Sequence, residues 1–255
     1  MFGDIPYSLP RAAPTYGRPP YAYRDCPQLI VVFRSSSESL RALVAEPVTP
    51  NSDDLAFLMI GTMCTDEFGD YNESIVAVPA ALGDRVGNHV VFHHVDAEKP
   101  MVAGREIMGW PKRLAEVHWS ETAGRVTATT VREGSTLIRA TADLVGPARP
   151  EDLILSPTWL NLKVIPSVVD GAPPDVAQIT ATTLLDVEIA GARRGAATLE
   201  LVSTAHDPLG RLEVHEIVGA VHARLSFDLP GGEVIHDYLA RTGTHAAPEP
   251  AGVAG

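Results

Sequence analysis

The residues best suited to chemistry lie in the segment MVAGREIMGWPKRLAE, residues 101–116. Pro111 restricts its own φ angle and favours an extended conformation at Trp110, so Lys112 follows on a constrained backbone. The indole and its apolar neighbours predict an apolar wall beside the lysine, and Arg113 adds a permanent positive charge. This pattern makes Lys112 a candidate nucleophile.

The chemistry that such a lysine offers is Schiff-base formation. A free lysine has a pKa of about 10.4, so its amine is almost fully protonated at pH 7. Burial and a neighbouring cation both disfavour the ammonium form. Lowering the pKa by about 3 would raise the neutral fraction of the amine roughly a thousandfold. This change corresponds to a destabilisation of the ammonium form by about 4 kcal/mol. A neutral amine can attack a ketone. The alternative is an exposed Lys-Arg pair at a loop or strand end.

The other lysines are weaker candidates. Only three of the 20 basic residues are lysine. Lys99 lies in the acidic segment DAEKP, where Glu98 favours its ammonium form. Lys163, in WLNLKVIP, has no cationic neighbour in the sequence. Lys112 is therefore the preferred nucleophile.

The elements that must position this lysine are mostly strands. A Ser35/Glu38 capping box predicts a helix over Ser35–Glu46, and Gly232–Ala240 fits a short closing helix. The many short strands predict an α+β fold, with a mainly antiparallel, barrel-like β-sheet and a few packed helices. Runs of β-branched and aromatic residues predict strands at Gln28–Arg34, Leu55–Thr62, Ser74–Ala80, Asn88–Val95, Arg125–Val131, Thr136–Leu144, Leu160–Ile165, Ala177–Ile189, Thr198–Val202 and Gly219–Phe227.

The chain ends differ from its middle. Residues 1–27 contain six prolines, which predicts an extended arm. Residues 241–255 are small and rich in proline and glycine, which predicts a mobile tail. No linker or repeat interrupts the middle, so we expect a single domain over residues 1–255.

Composition excludes several classes of function. The chain has 255 residues, of which 45% are apolar and 20% charged, and this is typical of a globular protein. The formal charge of −12 argues against nucleic acid or an anionic membrane as partner. No apolar run reaches the roughly 18 residues of a membrane helix, and no secretory signal is visible. We therefore expect a cytoplasmic protein.

Other chemical motifs are weak. The sequence lacks the glycine-rich, P-loop, GxSxG and HExxH patterns, so we expect no nucleotide cofactor and no metal. With a period of two, His89 and His93 share one strand face and His94 points to the other. A metal site there stays open as an alternative to plain packing. Cys26 and Cys64 are expected to be inert thiols.

The segment GREIMGWPKRLAEV resembles the signature of the acetoacetate decarboxylase family, in which a Gly-Arg-Glu stretch leads into Pro-Lys-Lys. The likeness extends over nearly the whole chain. Further segments that look like those of the family follow in the expected order: PPYAY near residue 20, DYNES at 70–74, NLKVIP at 161–166, HEIVGAVH at 215–222 and LPGGEVIHDYL at 229–239.

This resemblance implies roles for particular residues. Lys112 becomes the Schiff-base nucleophile, and Arg113 takes the place of the second lysine that depresses its pKa; an activating neighbouring cation is the behaviour known for this family. Glu73, in DYNES, matches the family's active-site glutamate, which orients substrate or shuttles protons. The alternative for Glu73 is a surface glutamate in a loop.

The substrate-binding candidates are Tyr71, Arg24, Trp110 and Tyr238, although tyrosines at such positions are often packing residues. The classic decarboxylases that the chain resembles have an arginine near the start of the first strand and a second glutamate before the DYNES-like segment. Our alignment places Cys26 and Leu58 there, and Arg24 replaces the arginine only if the register slips. The two departures put acetoacetate itself in doubt as the substrate.

Three functions follow from the resemblance. The first is decarboxylation of acetoacetate or a related β-keto acid through a lysine Schiff base, without a cofactor. The second is an aldolase-dehydratase or cyclase that acts on pyruvate or another 2-oxo acid through the same imine. The third is a non-catalytic ligand-binding protein. For an enzyme we expect a small-molecule keto acid as the substrate, and the resemblance to the family implies a homo-oligomer.

Overall fold

The structure, a computed structural model, describes residues 5–149, 152 and 156–240. Its strands form one sheet. They are β1 (Tyr21–Arg34), β2 (Thr49–Pro50), β3 (Leu55–Met63), β4 (Tyr71–Leu82), β5 (Arg85–Val95), β6 (Lys112–Leu114), β7 (Glu116–Thr122), β8 (Arg125–Arg132), β9 (Ser135–Pro147), β10 (Thr158–Ile165), β11 (Val176–Thr183), β12 (Leu185–Leu201), β13 (Glu216–Leu229) and β14 (Glu233–Asp237).

The order across the sheet is β14-β11-β10-β5-β4-β3-β1-β13-β12-β9-β8-β7, with β2 beside β4 and β6 beside β5. All pairs are antiparallel except β5–β10 and β5–β6. The predicted α+β fold with a mainly antiparallel sheet is confirmed. The sheet is open, with β14 and β7 at its edges, and it curls so that Trp119 of β7 donates a hydrogen bond to Thr62 of β3 over 2.8 Å.

Two helices pack on the sheet. The first, α1 (Ser37–Leu43), confirms the predicted helix in a shorter form, with Ser36 as its N-cap. The second, α2 (Glu98–Ala103), continues directly into a π-helical turn (Gly104–Met108), and neither was predicted. Pro100 in the first turn and Gly104 after it are residues that rarely signal a helix, although proline is tolerated near a helix start. A short 3₁₀ turn covers Leu209–Arg211. No helix in the described part of the chain is long and apolar enough to span a bilayer.

Two sequence predictions near the chain ends differ from the structure. Strand β1 begins at Tyr21, inside the expected arm, and pairs with β13 from its first residue. The predicted helix over Gly232–Ala240 is wrong, because Glu233–Asp237 forms β14 against β11. A side chain at position 232 would lie 2.7 Å from the Ala181 carbonyl oxygen, so glycine allows this close approach. The predicted tail over residues 241–255 lies outside the described residues.

The sheet separates two apolar cores. The helix-side core packs around Leu40 of α1 and includes Leu58 and Val76. The cavity-side core, on the other face of the central strands, includes Met59 and Ile75. Alternate residues of one strand therefore belong to different cores, as the pleat requires.

Candidate active site

Lys112 opens β6 and lies on the cavity-side face of the sheet. Its strand runs parallel to β5, with Lys112 opposite His93. The residue is 7% exposed, and its side chain lines a cavity of about 230 Å³. The Nζ atom donates a hydrogen bond to Oε2 of Glu73 over 3.1 Å. The lysine is thus buried at a cavity and not part of an exposed strand end.

The turn before Lys112 fixes where its amine points. The π-helical turn ends at Gly109, whose φ of 76° is in the left-handed region. The Trp110 N–H donates to the Gly104 carbonyl over 3.1 Å, and Arg105 Nη1 donates to the Lys112 carbonyl over 3.2 Å. A Cβ on Gly104 would lie 3.0 Å from Cδ of Lys112 and 3.1 Å from Cε. Gly104 therefore leaves the space that the aliphatic part of the lysine occupies.

Two neighbouring strands hold this turn in place. Lys163 of β10 donates from Nζ to the Ile107 carbonyl over 3.1 Å. Thr180 of β11 donates from Oγ1 to the Met108 carbonyl over 2.6 Å. Both bonds satisfy carbonyl groups at the end of a helix, which otherwise lack partners. Lys163 thus anchors the turn that precedes Lys112.

Glu73 and His93 complete a buried polar group around the amine. Glu73, on β4, is 2% exposed, and its Oε2 accepts from both Lys112 and His93; the His93 Nε2 lies 2.9 Å away. Burial alone would raise the pKa of Glu73, but Lys112 and His93 outweigh it and hold that pKa at about 2. Burial lowers the pKa of His93 to about 4, although Glu73 opposes this. Glu73 is therefore an anion and His93 a neutral ring.

The proton of His93 lies on Nε2. That nitrogen faces a carboxylate oxygen, so it must donate, while Nδ1 has no hydrogen-bond partner among the described residues. The His93 ring also lies edge-on to the Trp110 indole, with 5.2 Å between ring centroids. The contacts identify His93 as a residue that orients Glu73.

Sequence reasoning missed this role of His93, and its assignment of histidine faces was wrong. Val91 is an extra residue in β5, since Val76 pairs with Phe92 and Ala77 pairs with Val90. This bulge reverses the alternation, so His93 lies on the cavity-side face while His89 and His94 point into the helix-side core. His89 accepts from the Ala45 N–H there over 3.3 Å. No local sequence signal marks the bulge.

Two predicted site residues, Tyr71 and Trp110, do line the cavity. The Lys112 Nζ lies 5.3 Å from the centroid of the Tyr71 ring and 5.9 Å from that of Trp110. Aromatic faces at this range attract a cation. The rest of the wall is almost entirely apolar: Tyr21, Tyr23, Met59, Met63, Phe68, Ile75, Pro100, Ala103, Gly104, Met108, Ser156, Pro157, Trp159, Leu184, Val187, Ile189, Leu225, Phe227 and Leu229.

The guanidinium of Arg113 does not lie beside the Lys112 amine. Successive residues of a strand point to opposite faces, and Arg113 Nη1 binds Oδ1 of the buried Asp207 over 2.6 Å. Asp207 also binds Arg132 over 2.5 Å, and His94 lies 3.4 Å from it. The expected like-charge contact with Lys112 is absent from the described residues, because the guanidinium is paired with a carboxylate on the other side of the sheet.

The remaining candidates lie outside the cavity wall. Arg24 is mostly exposed and pairs with Asp228 over 2.6 Å. Tyr238 is 42% exposed and donates to the Glu46 carbonyl. The resemblance to the family assigned both to substrate binding, Arg24 as a replacement for the family's arginine and Tyr238 as a further pocket residue, but neither side chain lines the cavity.

The two positions at which the alignment departs from the family, Cys26 and Leu58, lie in different cores. Cys26 is buried in the cavity-side core, where its Sγ accepts from the Cys64 N–H over 3.0 Å. Leu58 points into the helix-side core, and the adjacent Met59 lines the cavity instead. At this point of β3 the residue that faces the site is therefore Met59, and Met63 faces it farther along the strand.

Comparisons with known proteins identify the family and the fold. The family model described as acetoacetate decarboxylase (ADC) matches residues 4–239. Acetoacetate decarboxylase 1 of Mesorhizobium japonicum is 34% identical over 244 residues, which cover 92% of this chain and 96% of that protein. The crystal structure of acetoacetate decarboxylase from Legionella pneumophila has a TM-score of 0.85 at 27% identity, covering 93% of this chain and 95% of the other.

A more distant structure shares the fold alone. The enduracididine biosynthesis enzyme MppR, complexed with the condensation product of pyruvate and imidazole 4-carboxaldehyde, has a TM-score of 0.79. Its sequence is 19% identical, and the match covers 93% of this chain and 99% of that one.

Proposed function

Because this chain belongs to the acetoacetate decarboxylase family, we propose that it is a lyase that decarboxylates a β-keto acid through a Schiff base on Lys112. The observation that carries the proposal is the buried amine of Lys112, bound to Glu73 at the wall of a cavity. Among the described lining residues these two are the charged ones. A buried amine-carboxylate pair in a cavity is a typical setting for proton transfer.

The first stage is imine formation. Lys112 Nζ donates a hydrogen bond to Glu73, and transfer of a proton from Nζ to the carboxylate frees the lone pair of the nitrogen. The amine attacks the ketone carbon and gives a carbinolamine. Protonated Glu73 then returns its proton to the departing hydroxyl, so water leaves and a cationic imine remains. The faces of Tyr71 and Trp110 stabilise this cation.

The second stage is loss of CO₂. The carbon–carbon bond to the carboxylate breaks, and its electron pair moves into the imine to form a neutral enamine. Glu73 takes a proton from solution and delivers it to the enamine carbon. Water hydrolyses the new imine and releases the ketone. In sum, R–CO–CH₂–COO⁻ and one proton give R–CO–CH₃ and CO₂, with Lys112 regenerated.

The test is CO₂ release measured with the purified protein and a series of β-keto acids, with the organic product followed by NMR. We expect the wild type to release CO₂ and a methyl ketone, and Lys112→Met to fall to the uncatalysed rate. Lys99→Met is the matched control because Lys99 is exposed on α2, and it should retain activity. Full activity in Lys112→Met would overturn the proposal.

The same assay separates the alternative function. Pyruvate and an aldehyde are supplied together, as the condensation product bound to MppR suggests. An enone formed through Lys112 without release of CO₂ would assign the chain to aldol-type chemistry. Because MppR shares the fold alone, decarboxylation remains the function that we propose.

A further inference from the structure

The cavity around Lys112 offers a substrate almost no polar partner. Its walls come from strands β3 and β13 on one side and from Trp110 and Trp159 on another, with 5.1 Å between the two indole centroids. Of the described side chains that line it, only Lys112 and Glu73 carry charge, and these two bind each other. The hydroxyls of Tyr23 and Tyr71 lie 3.2 Å apart and bind each other, and the indole N–H of Trp110 has no hydrogen-bond partner among the described residues. The rest of the surface recognises a substrate mainly by apolar contact.

No arginine in the described part of the chain reaches this space to hold a substrate carboxylate. Arg24 pairs with Asp228, and Arg113 with Asp207 on the opposite face. Arg105 is exposed and binds the backbone carbonyl of Lys112. The substrate carboxylate therefore meets apolar walls, a setting that favours its conversion to neutral CO₂ but contributes little to binding.

Binding must then come from the other end of the substrate. Resting on the proposed function, we propose that the substrate is a β-keto acid whose ketone bears an apolar substituent, either an alkyl chain of at least three carbons or an aryl ring. Acetoacetate, with a methyl group at that position, leaves most of the apolar wall without a partner. Met59 and Met63 suit such a substituent because methionine adapts to irregular apolar shapes.

The size of the effect follows from the area buried. Each additional buried methylene favours binding about fourfold. Replacing the methyl group of acetoacetate by propyl adds two methylenes, so kcat/KM should rise at least about tenfold. An aryl ring buries more apolar area, and it can also stack on the indoles.

The experiment compares kcat/KM of the wild type for acetoacetate, 3-oxohexanoate and 3-oxo-3-phenylpropanoate, each corrected for spontaneous decarboxylation. We expect both larger substrates to exceed acetoacetate at least about tenfold. Equal or better use of acetoacetate would overturn this inference while leaving the proposed function intact. Failure to release CO₂ from all three would instead overturn the proposed function.

A variant locates the effect in the wall. Met59→Gln keeps the length of the side chain but places an amide in the cavity. It should lower kcat/KM for 3-oxohexanoate at least about threefold more than for acetoacetate. Met101→Gln makes the same change on α2, outside the cavity wall, and should leave the ratio between the substrates unchanged. An equal fall for both substrates in Met59→Gln, in a protein with wild-type circular dichroism, would contradict the assigned role of the wall.

Discussion

At the scale of single residues, the site depends on one carboxylate oxygen that accepts two hydrogen bonds. Oε2 of Glu73 accepts from Lys112 over 3.1 Å and lies 2.9 Å from Nε2 of His93. Lys112 and His93 hold the pKa of Glu73 at about 2, so protonation of this carboxylate at acid pH would remove the acceptor of both hydrogen bonds. His93 acts on the amine of Lys112 through Glu73 and is a positioning residue.

Removal of the hydrogen-bond donor of His93 should shift the acid limb of the pH–rate profile. His93→Leu deletes a hydrogen bond that favours the ionised carboxylate, so the pKa of Glu73 should rise and the acid limb of kcat/KM should shift to higher pH. His93→Gln retains an N–H donor and should restore the limb at least in part. The measurement is kcat/KM for CO₂ release from pH 3 to 9, a range in which wild-type Glu73, with its pKa at about 2, stays ionised and His93→Leu should lose activity at the acid end. An unmoved limb in His93→Leu would refute the positioning role.

At the scale of elements, strand β6 places adjacent cations on opposite faces. The sequence alone makes Lys112 and Arg113 neighbours, and like-charge activation follows only if both point to one space. The pleat separates them, and Asp207 then pairs with the guanidinium. The Lys112 amine is instead surrounded by the rings of Tyr71 and Trp110 and by the carboxylate of Glu73.

Arg113 should therefore have little electrostatic influence on the Lys112 amine. For Arg113→Gln we expect no measurable shift in the alkaline limb of the pH–rate profile, since the charge removed is screened by Asp207 and separated by the sheet. The free energy of unfolding should fall, because Asp207 loses one of its cationic partners. An alkaline limb that moves upward would restore the like-charge mechanism.

The turn before β6 also depends on its close contact with strand β10. A Cβ on Gly109 would lie 2.5 Å from Cβ of Lys163, and the φ of 76° is costly for any other residue. Gly134 has a φ of 75°, and no atom lies within 4 Å of such a Cβ. A substitution there therefore measures the cost of the backbone conformation without any steric contact. We expect Gly134→Ala to cost about 1 kcal/mol and Gly109→Ala at least about 2 kcal/mol more. Urea unfolding measures both, and equal losses would contradict the packing of the turn on β10.

Several elements were predictable from the sequence, and others were not. Strands rich in β-branched residues, such as Gln28–Arg34, are confirmed within β1 because burial and propensity agree there. The bulge at Val91 is invisible in the pattern, since a single extra residue alters the face without altering composition. Glu233–Asp237 shows an apolar spacing that suits a helix, but pairing with β11 makes it a strand. In the site, Lys112, Glu73, Tyr71 and Trp110 were named from sequence, while His93 needed the three-dimensional register.

At the scale of the whole molecule, one curled sheet carries a solid core on one face and a cavity on the other. Polar groups are buried on both faces: His89 and Asp207 on the helix side, Glu73 and His93 on the cavity side. We propose that the chain forms a single domain; the homo-oligomer and the cytoplasmic location stay predictions.

Buried neutral histidines should make the fold sensitive to acid. Burial lowers the pKa of His89 to about 4, whereas an unfolded histidine titrates near 6.5. Between these values the unfolded chain binds more protons than the native one, so stability is complete above pH 6.5 and falls as the pH drops toward 4. His89 alone should cost about 2 kcal/mol at pH 5.

The check is the free energy of unfolding in urea at pH 7.5 and pH 5. His89→Gln keeps an acceptor for the Ala45 N–H and should reduce the difference between the two pH values. His118→Gln, at an exposed position, should leave the difference as in the wild type. The same pH dependence in all three proteins would show that His89 is not buried as a neutral ring.

The most direct test of the account is covalent trapping at the amine. The protein is incubated with 3-oxohexanoate and sodium borohydride, digested, and mapped by mass spectrometry. We expect a reduced secondary amine on Lys112, with Lys99 and Lys163 unmodified, and no adduct in Lys112→Met. Release of CO₂ without any adduct, or an adduct confined to another lysine, would contradict the assignment of Lys112 as the Schiff-base nucleophile.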